Sequence, residues 1–67
     1  MNAGTTNYNL MLDETERAQL LRLLEQALVE KQREEHRSDA IAYRQAMLRE
    51  EQILEHLVAK VRALAAI

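Results

Sequence analysis

The sequence predicts an all-α fold: a short N-terminal strand, then an antiparallel two-helix hairpin that dimerises into a four-helix bundle. Three observations predict it. Leucines and other apolar residues recur at helical spacing over two long segments. Between them lies a ten-residue run, Glu30 to Asp39, with no apolar member and with Ser38-Asp39 at its end. The chain of 67 residues has no cysteine to staple a small core, which leaves oligomerisation as its supplement, although the lack of glycine or proline near residue 38 would also allow one continuous helix.

Residues 1–6 are small and polar and are expected to form a disordered lead. The pattern then changes to period two. Tyr8, Leu10 and Leu12 would share one face of a strand over residues 8–12, with Asn7, Asn9 and Met11 on the other. Asp13-Glu14-Thr15-Glu16 opens the first helix, predicted over residues 13–37. The Asp13 carboxylate can accept a backbone N–H, and Glu16 stands three residues on as in a capping box. On a helical wheel Leu20, Leu21, Leu23, Leu24, Ala27 and Leu28 spread over roughly 160°, wider than the seam between two helices. One partner helix cannot cover such an arc.

The run from Glu30 to Asp39 carries opposite charges at helical spacing, Glu30 with Arg33 and Glu34 with Arg37, which favours a solvated helical stretch. Ser38-Asp39 is the second N-cap signal and marks the turn. The second helix is predicted over residues 40–66. Tyr43, Met47, Leu54, Leu57, Val61 and Leu64 follow a spacing of four and three, with Glu50 the polar member of the series and Ala46, Ile53 and Val58 widening the stripe. A tight turn makes the helices antiparallel, with facing residue numbers adding to about 77. That register sets Leu28 near Arg49, Leu24 near Ile53 and Leu20 near Leu57, and leaves Val61, Leu64 and Ile67 for the strand to cover. A single continuous rod is the competing architecture. It is disfavoured because its middle ten residues offer no seam to a partner.

The run Tyr8-Asn9-Leu10-Met11-Leu12-Asp13-Glu14-Thr15-Glu16, followed by Leu20-Leu21-Arg22-Leu23-Leu24-Glu25 and the acid-rich stretch around Arg49-Glu50-Glu51, resembles a group of small stand-alone bacterial proteins of unknown function. These carry a Tyr-x-Leu-x-Leu strand ahead of a leucine-rich helical hairpin. The resemblance implies a fold and no activity. Members often place a proline near the start of the second helix, where Ile41 or a neighbour stands here.

No catalytic, cofactor or metal constellation emerges. His36 and His56 both point away from the apolar stripes, and neither is accompanied by the spacing a zinc or di-iron site needs. Ser38 is the only serine and is explained by the turn. Lys31 and Glu50 are the informative polar residues, since each interrupts an apolar stripe and the antiparallel register brings them within one helical turn of each other. They either pair, fixing register and oligomeric state, or keep their heads in water at a loose hairpin tip.

About twenty side chains can fill a core, because ten of the apolar residues are alanine. A core that small rarely supplies more than about 3–5 kcal/mol. Without cysteines the remaining supplement is self-association, so Leu20, Leu21, Leu23, Leu24, Leu28, Tyr43, Met47, Leu54, Leu57, Val61 and Leu64 are expected to form a core continued into a dimer interface. The expected protein is a homodimeric, non-catalytic interaction module without cofactor or metal, whose partner is itself and, as a second option, another protein. The absence of a signal-like or membrane-spanning segment places it in the cytoplasm. The alternative is a ribbon-helix-helix-like or antitoxin-like nucleic-acid-binding regulator, with Asn7, Asn9 and Met11 facing DNA. Nine basic against eleven acidic residues, and no lysine or arginine in residues 1–12, weigh against it.

Overall fold

The structure is a computed structural model and describes residues 6–37 and 40–65. Two helices, α1 (Glu14–Arg37) and α2 (Ile41–Arg62), pack on each other as an antiparallel hairpin. The expected disordered lead falls largely on residues 1–5, outside the described residues, as do Ser38, Asp39, Ala66 and Ile67.

α1 starts as its sequence dictates. The Glu16 N–H donates to Asp13 Oδ1 at 2.7 Å, and the Asp13 N–H donates back to Glu16 Oε1 at 3.0 Å. This reciprocal capping box makes Asp13 the cap rather than the first helical residue. Arg17 then clamps Glu14 from one turn on, Nε to Oε1 at 2.8 Å and Nη2 to Oε2 at 2.6 Å, which holds the Glu14 carboxyl below its ordinary range through the hydrogen bond first. Asp13→Ala is expected to destabilise the hairpin by about 1 kcal/mol. The shift would be read as a lower urea midpoint with an unchanged slope.

α2 starts differently. Ala40 is its N-cap residue, with extended backbone (φ −76°, ψ 119°) and no side-chain cap, and its carbonyl accepts the Arg44 N–H at 3.0 Å. The cap expected from Ser38-Asp39 lies outside the described residues. The helix ends at Arg62, four residues short of the expected limit. Ala63 is the C-cap, the Leu64 N–H closes a tighter turn onto the Val61 carbonyl at 3.3 Å, and Lys60 and Arg62 place positive charge at the negative end of the helix dipole. Leu64 stays half exposed there, so no packing draws the helix on.

The expected strand over residues 8–12 does not form among the described residues. A strand is stabilised by the ladder it makes with a neighbour, and the single chain offers none. Tyr8, Leu10 and Met11 are left exposed, while Leu10, Met11 and Leu12 border an open groove whose far side is Leu64 and Ala65. The segment therefore does reach the end of the hairpin assigned to it, without closing over it.

The seam between the helices is narrow. Met47, Val58 and Val61 are its buried apolar residues, with Leu54 half-buried beside them and Leu20, Leu21, Leu24, Ala27 and Leu28 half-buried on α1. The face that α2 turns inward is rotated by about 50°, half of one residue step, from the expected one. The inward series is Met47, Glu51, Leu54, Val58 and Val61, so Tyr43, Glu50, Ile53, Leu57 and Leu64 are exposed. Leu24 and Leu20 therefore do not face Ile53 and Leu57. The register has also moved: the ion pairs Lys31–Glu50 and Glu35–Arg44 have residue numbers adding to 81 and 79.

Candidate interaction surface

The hairpin has two unlike faces. Counting about 100° per residue from the seam, Leu20, Ala27 and Leu23 fall successively to one side of Leu24 on α1. Leu57, Ala46, Leu64 and Ile53 fall to one side of Leu54 on α2. Because α2 runs antiparallel, those two flanks lie on the same face of the hairpin. Ile53 is 59% exposed, Leu23 51% and Leu57 40%, so this face is apolar and open.

The opposite face is charged. Glu25 and Arg62 form an ion pair across it, and Glu55 and Arg44 lie on the same side of α2. The cross-helix pair independently fixes the geometry, since Glu25 stands nearly opposite Leu23 on the α1 wheel. Ile41, Leu48 and Val29 are exposed apolar residues lying away from the apolar face.

The overall dimensions agree with an uncovered face. The Cα trace measures 46 × 33 × 13 Å, and its short axis is one helix thick. Stable domains bury an apolar face between two layers. The accessible surface is 5887 Å², whereas a compact folded monomer of this mass exposes roughly 4,400 Å². The excess of about 1,500 Å² is spread over the whole chain, including the exposed N-terminal segment with Tyr8, Leu10 and Met11.

Lys31 and Glu50 meet at the edge of the apolar face, Nζ to Oε2 at 3.1 Å, with Glu34 Oε2 at 3.7 Å from the same ammonium. The hydrogen bond to Glu50 raises the Lys31 pKa above its ordinary value. Lys31 is half-buried and Glu50 exposed, with 31% and 48% of their side chains in solvent, so screening leaves the pair little weight in stability. It ties one helix to the other at a defined height.

A second polar feature lies in the seam. Glu51 is 7% exposed and its Oε1 has no hydrogen-bond partner, while Glu35, 9% exposed, comes from the facing helix. Arg44 Nη2 lies 3.7 Å from Glu35 Oε1, and His36 Nε2 lies 3.9 Å from Glu35 Oε2. Burial first, then the charges of Glu35 and Glu55, raises the Glu51 pKa above 4.5, opposed by His36. A folded-state value above the unfolded one means that the folded chain binds the proton more tightly. Glu51 therefore favours folding most at and below about pH 4.5, and that contribution is lost as pH rises through its folded midpoint. Glu51→Gln is expected to raise the melting temperature at neutral pH and flatten its decline above about pH 4.5. Unaltered melting at neutral pH would contradict this.

Among the described residues no group of three or more histidine, cysteine, aspartate or glutamate side chains could hold a metal ion, and no helix is long and apolar enough to cross a membrane. His36 and His56 are exposed. Of the expected interface residues, Met47 and Val61 are buried, Leu20, Leu21, Leu24, Leu28 and Leu54 half-buried, and Leu23, Tyr43, Leu57 and Leu64 exposed. Glu35 and Glu51 are not among the site residues expected from the sequence. A signal for Glu51 was present, since it completes the spacing Met47, Glu51, Leu54, Val58, Val61. Comparison with known protein families, curated proteins and solved structures finds no match to this chain.

Proposed function

We propose that the protein is a homodimeric helical interaction module, in which two hairpins pack apolar face to apolar face as a four-helix bundle and no catalysis is involved. The observation that carries this reading is the one-sided apolar face formed by Leu20, Leu23 and Ala27 with Ile53, Leu57 and Leu64. A one-sided apolar face of this kind suits a second copy of the same surface, and two-fold pairing closes the assembly. Lys31 and Glu50 at the edge of that face would set the height at which the copies meet. The N-terminal segment, with Tyr8, Leu10 and Met11 exposed, would gain from the second copy the ladder or cover that one chain lacks. Such a module would work in the cytoplasm through its charged outer face.

Light scattering after size exclusion at micromolar concentration tests the reading. The expected mass is twice 7.8 kDa. A mass of 7.8 kDa would sink the proposal. Duplex DNA is the second arm. An interaction module leaves DNA mobility unchanged at every salt concentration, whereas retardation at low salt that disappears steeply as salt rises would overturn it in favour of a nucleic-acid-binding regulator.

A further inference from the structure

We propose that Glu35 and Glu51 form a proton site that controls how tightly the hairpin closes near its turn. The two carboxylates come from different helices, and each is nine-tenths or more buried. Both occupy the seam itself, one helical turn beyond Lys31 on α1 and one beyond Met47 on α2. Closing the helices there brings two negative groups into one poorly solvated space, and burial of an unpaired charge opposes closure.

The charged groups around the pair leave Glu51 without a counter-charge. From α1 come His36, which is largely exposed, and Lys31, whose ammonium is engaged by Glu50 and Glu34. From α2 come Arg44, which reaches Glu35 rather than Glu51, and Glu55, which adds a third negative charge. Glu51 Oε1 is left buried with no donor. A proton taken from solvent turns the Glu51 carboxylate into the neutral acid. This removes the cost of burying its charge, ends the repulsion from Glu35 and supplies an O–H donor where there was none. In mild acid the turn-proximal half of the hairpin tightens, and towards neutral pH it opens more often. The device requires only the two helices of one chain and does not depend on the proposed dimer.

The test uses the full chain. Carboxyl carbon shifts followed by NMR give each glutamate's titration midpoint, and amide hydrogen exchange over residues 42–50, corrected for intrinsic rates, is compared at about pH 5 and about pH 7.5. The Glu51 midpoint is expected above 4.5, and the amides to exchange more slowly in the acid arm. In Glu51→Gln the exchange should be slow at both pH values, with the difference between them lost. Glu35→Gln, which keeps Glu51, should lower the Glu51 midpoint towards its ordinary value. A Glu51 midpoint at or below 4.5, equal protection at both pH values in the unaltered chain, or a midpoint unmoved by Glu35→Gln would each overturn the proposal. Light scattering on the same samples reads the dimer separately, so failure of one proposal is not mistaken for failure of the other.

Discussion

In the proposed dimer, replacing Ile53 and Leu57 together by lysine is expected to leave a chain of 7.8 kDa at concentrations where the unaltered protein is expected at twice that mass. Burying a whole side chain of this size contributes about 1.5–3 kcal/mol. In one hairpin Ile53 keeps 59% and Leu57 40% of its surface in water, so about half of that amount remains to be gained on association. Two residues on each of two protomers then contribute about 3–6 kcal/mol, a factor of about 10² to 10⁴ in the dissociation constant. Four lysines in the interface would repel one another in addition. The accompanying sign is a melting temperature that no longer depends on protein concentration. Leu48→Lys is the matched control. Leu48 is as exposed as Leu57 but lies away from the apolar face, so its replacement should leave the mass unchanged. Equal loss of dimer in the control would show that the two copies do not meet on the face containing Leu57.

The sequence made the hairpin legible because its signals were local. The Asp13–Glu16 capping box and the apolar-free run before the turn act within a few residues of where they lie, and the structure contains the box in both directions. The inward face of α2 was not legible in the same way. Two frames with spacing of four and three run along this helix, one through Tyr43, Glu50, Leu57 and Leu64 and one through Glu51 and Val58, and they share Met47, Leu54 and Val61. Each has a single glutamate at the same height, so hydropathy alone does not separate them. The choice is made by packing between the helices: with Met47, Val58 and Val61 buried against α1, Glu50 turns out to the edge of the seam, where it meets Lys31. Lys31 and Glu50 were expected either to pair or to keep their heads in water, and they pair in a shifted register, at an edge of the face that follows from that packing. The N-terminal alternation in Tyr8, Leu10 and Leu12 is a pattern awaiting a partner, and a strand is not a property of one segment.

Val58→Asn is expected to abolish the helical circular dichroism signal at room temperature and at every practical concentration. Val58 is among the three buried apolar residues of the seam, 6% exposed. The change forfeits about 1.5–3 kcal/mol of burial and leaves amide hydrogen-bonding groups in a site built for none, a further cost of about 1–3 kcal/mol. The sum reaches the ~3–5 kcal/mol that a core of this size supplies. The same substitution one residue earlier has a different outcome. Leu57, 40% exposed in one hairpin, lies on the outward side, so Leu57→Asn weakens association and costs the hairpin less than Val58→Asn, and raising the concentration should recover both mass and helicity by mass action. The adjacent pair thus tests the rotation of α2 directly. If Leu57→Asn abolished helicity and Val58→Asn only weakened the dimer, the inward frame would be the one through Glu50 and Leu57, and the apolar face would have to be redrawn around Glu51 and Val58.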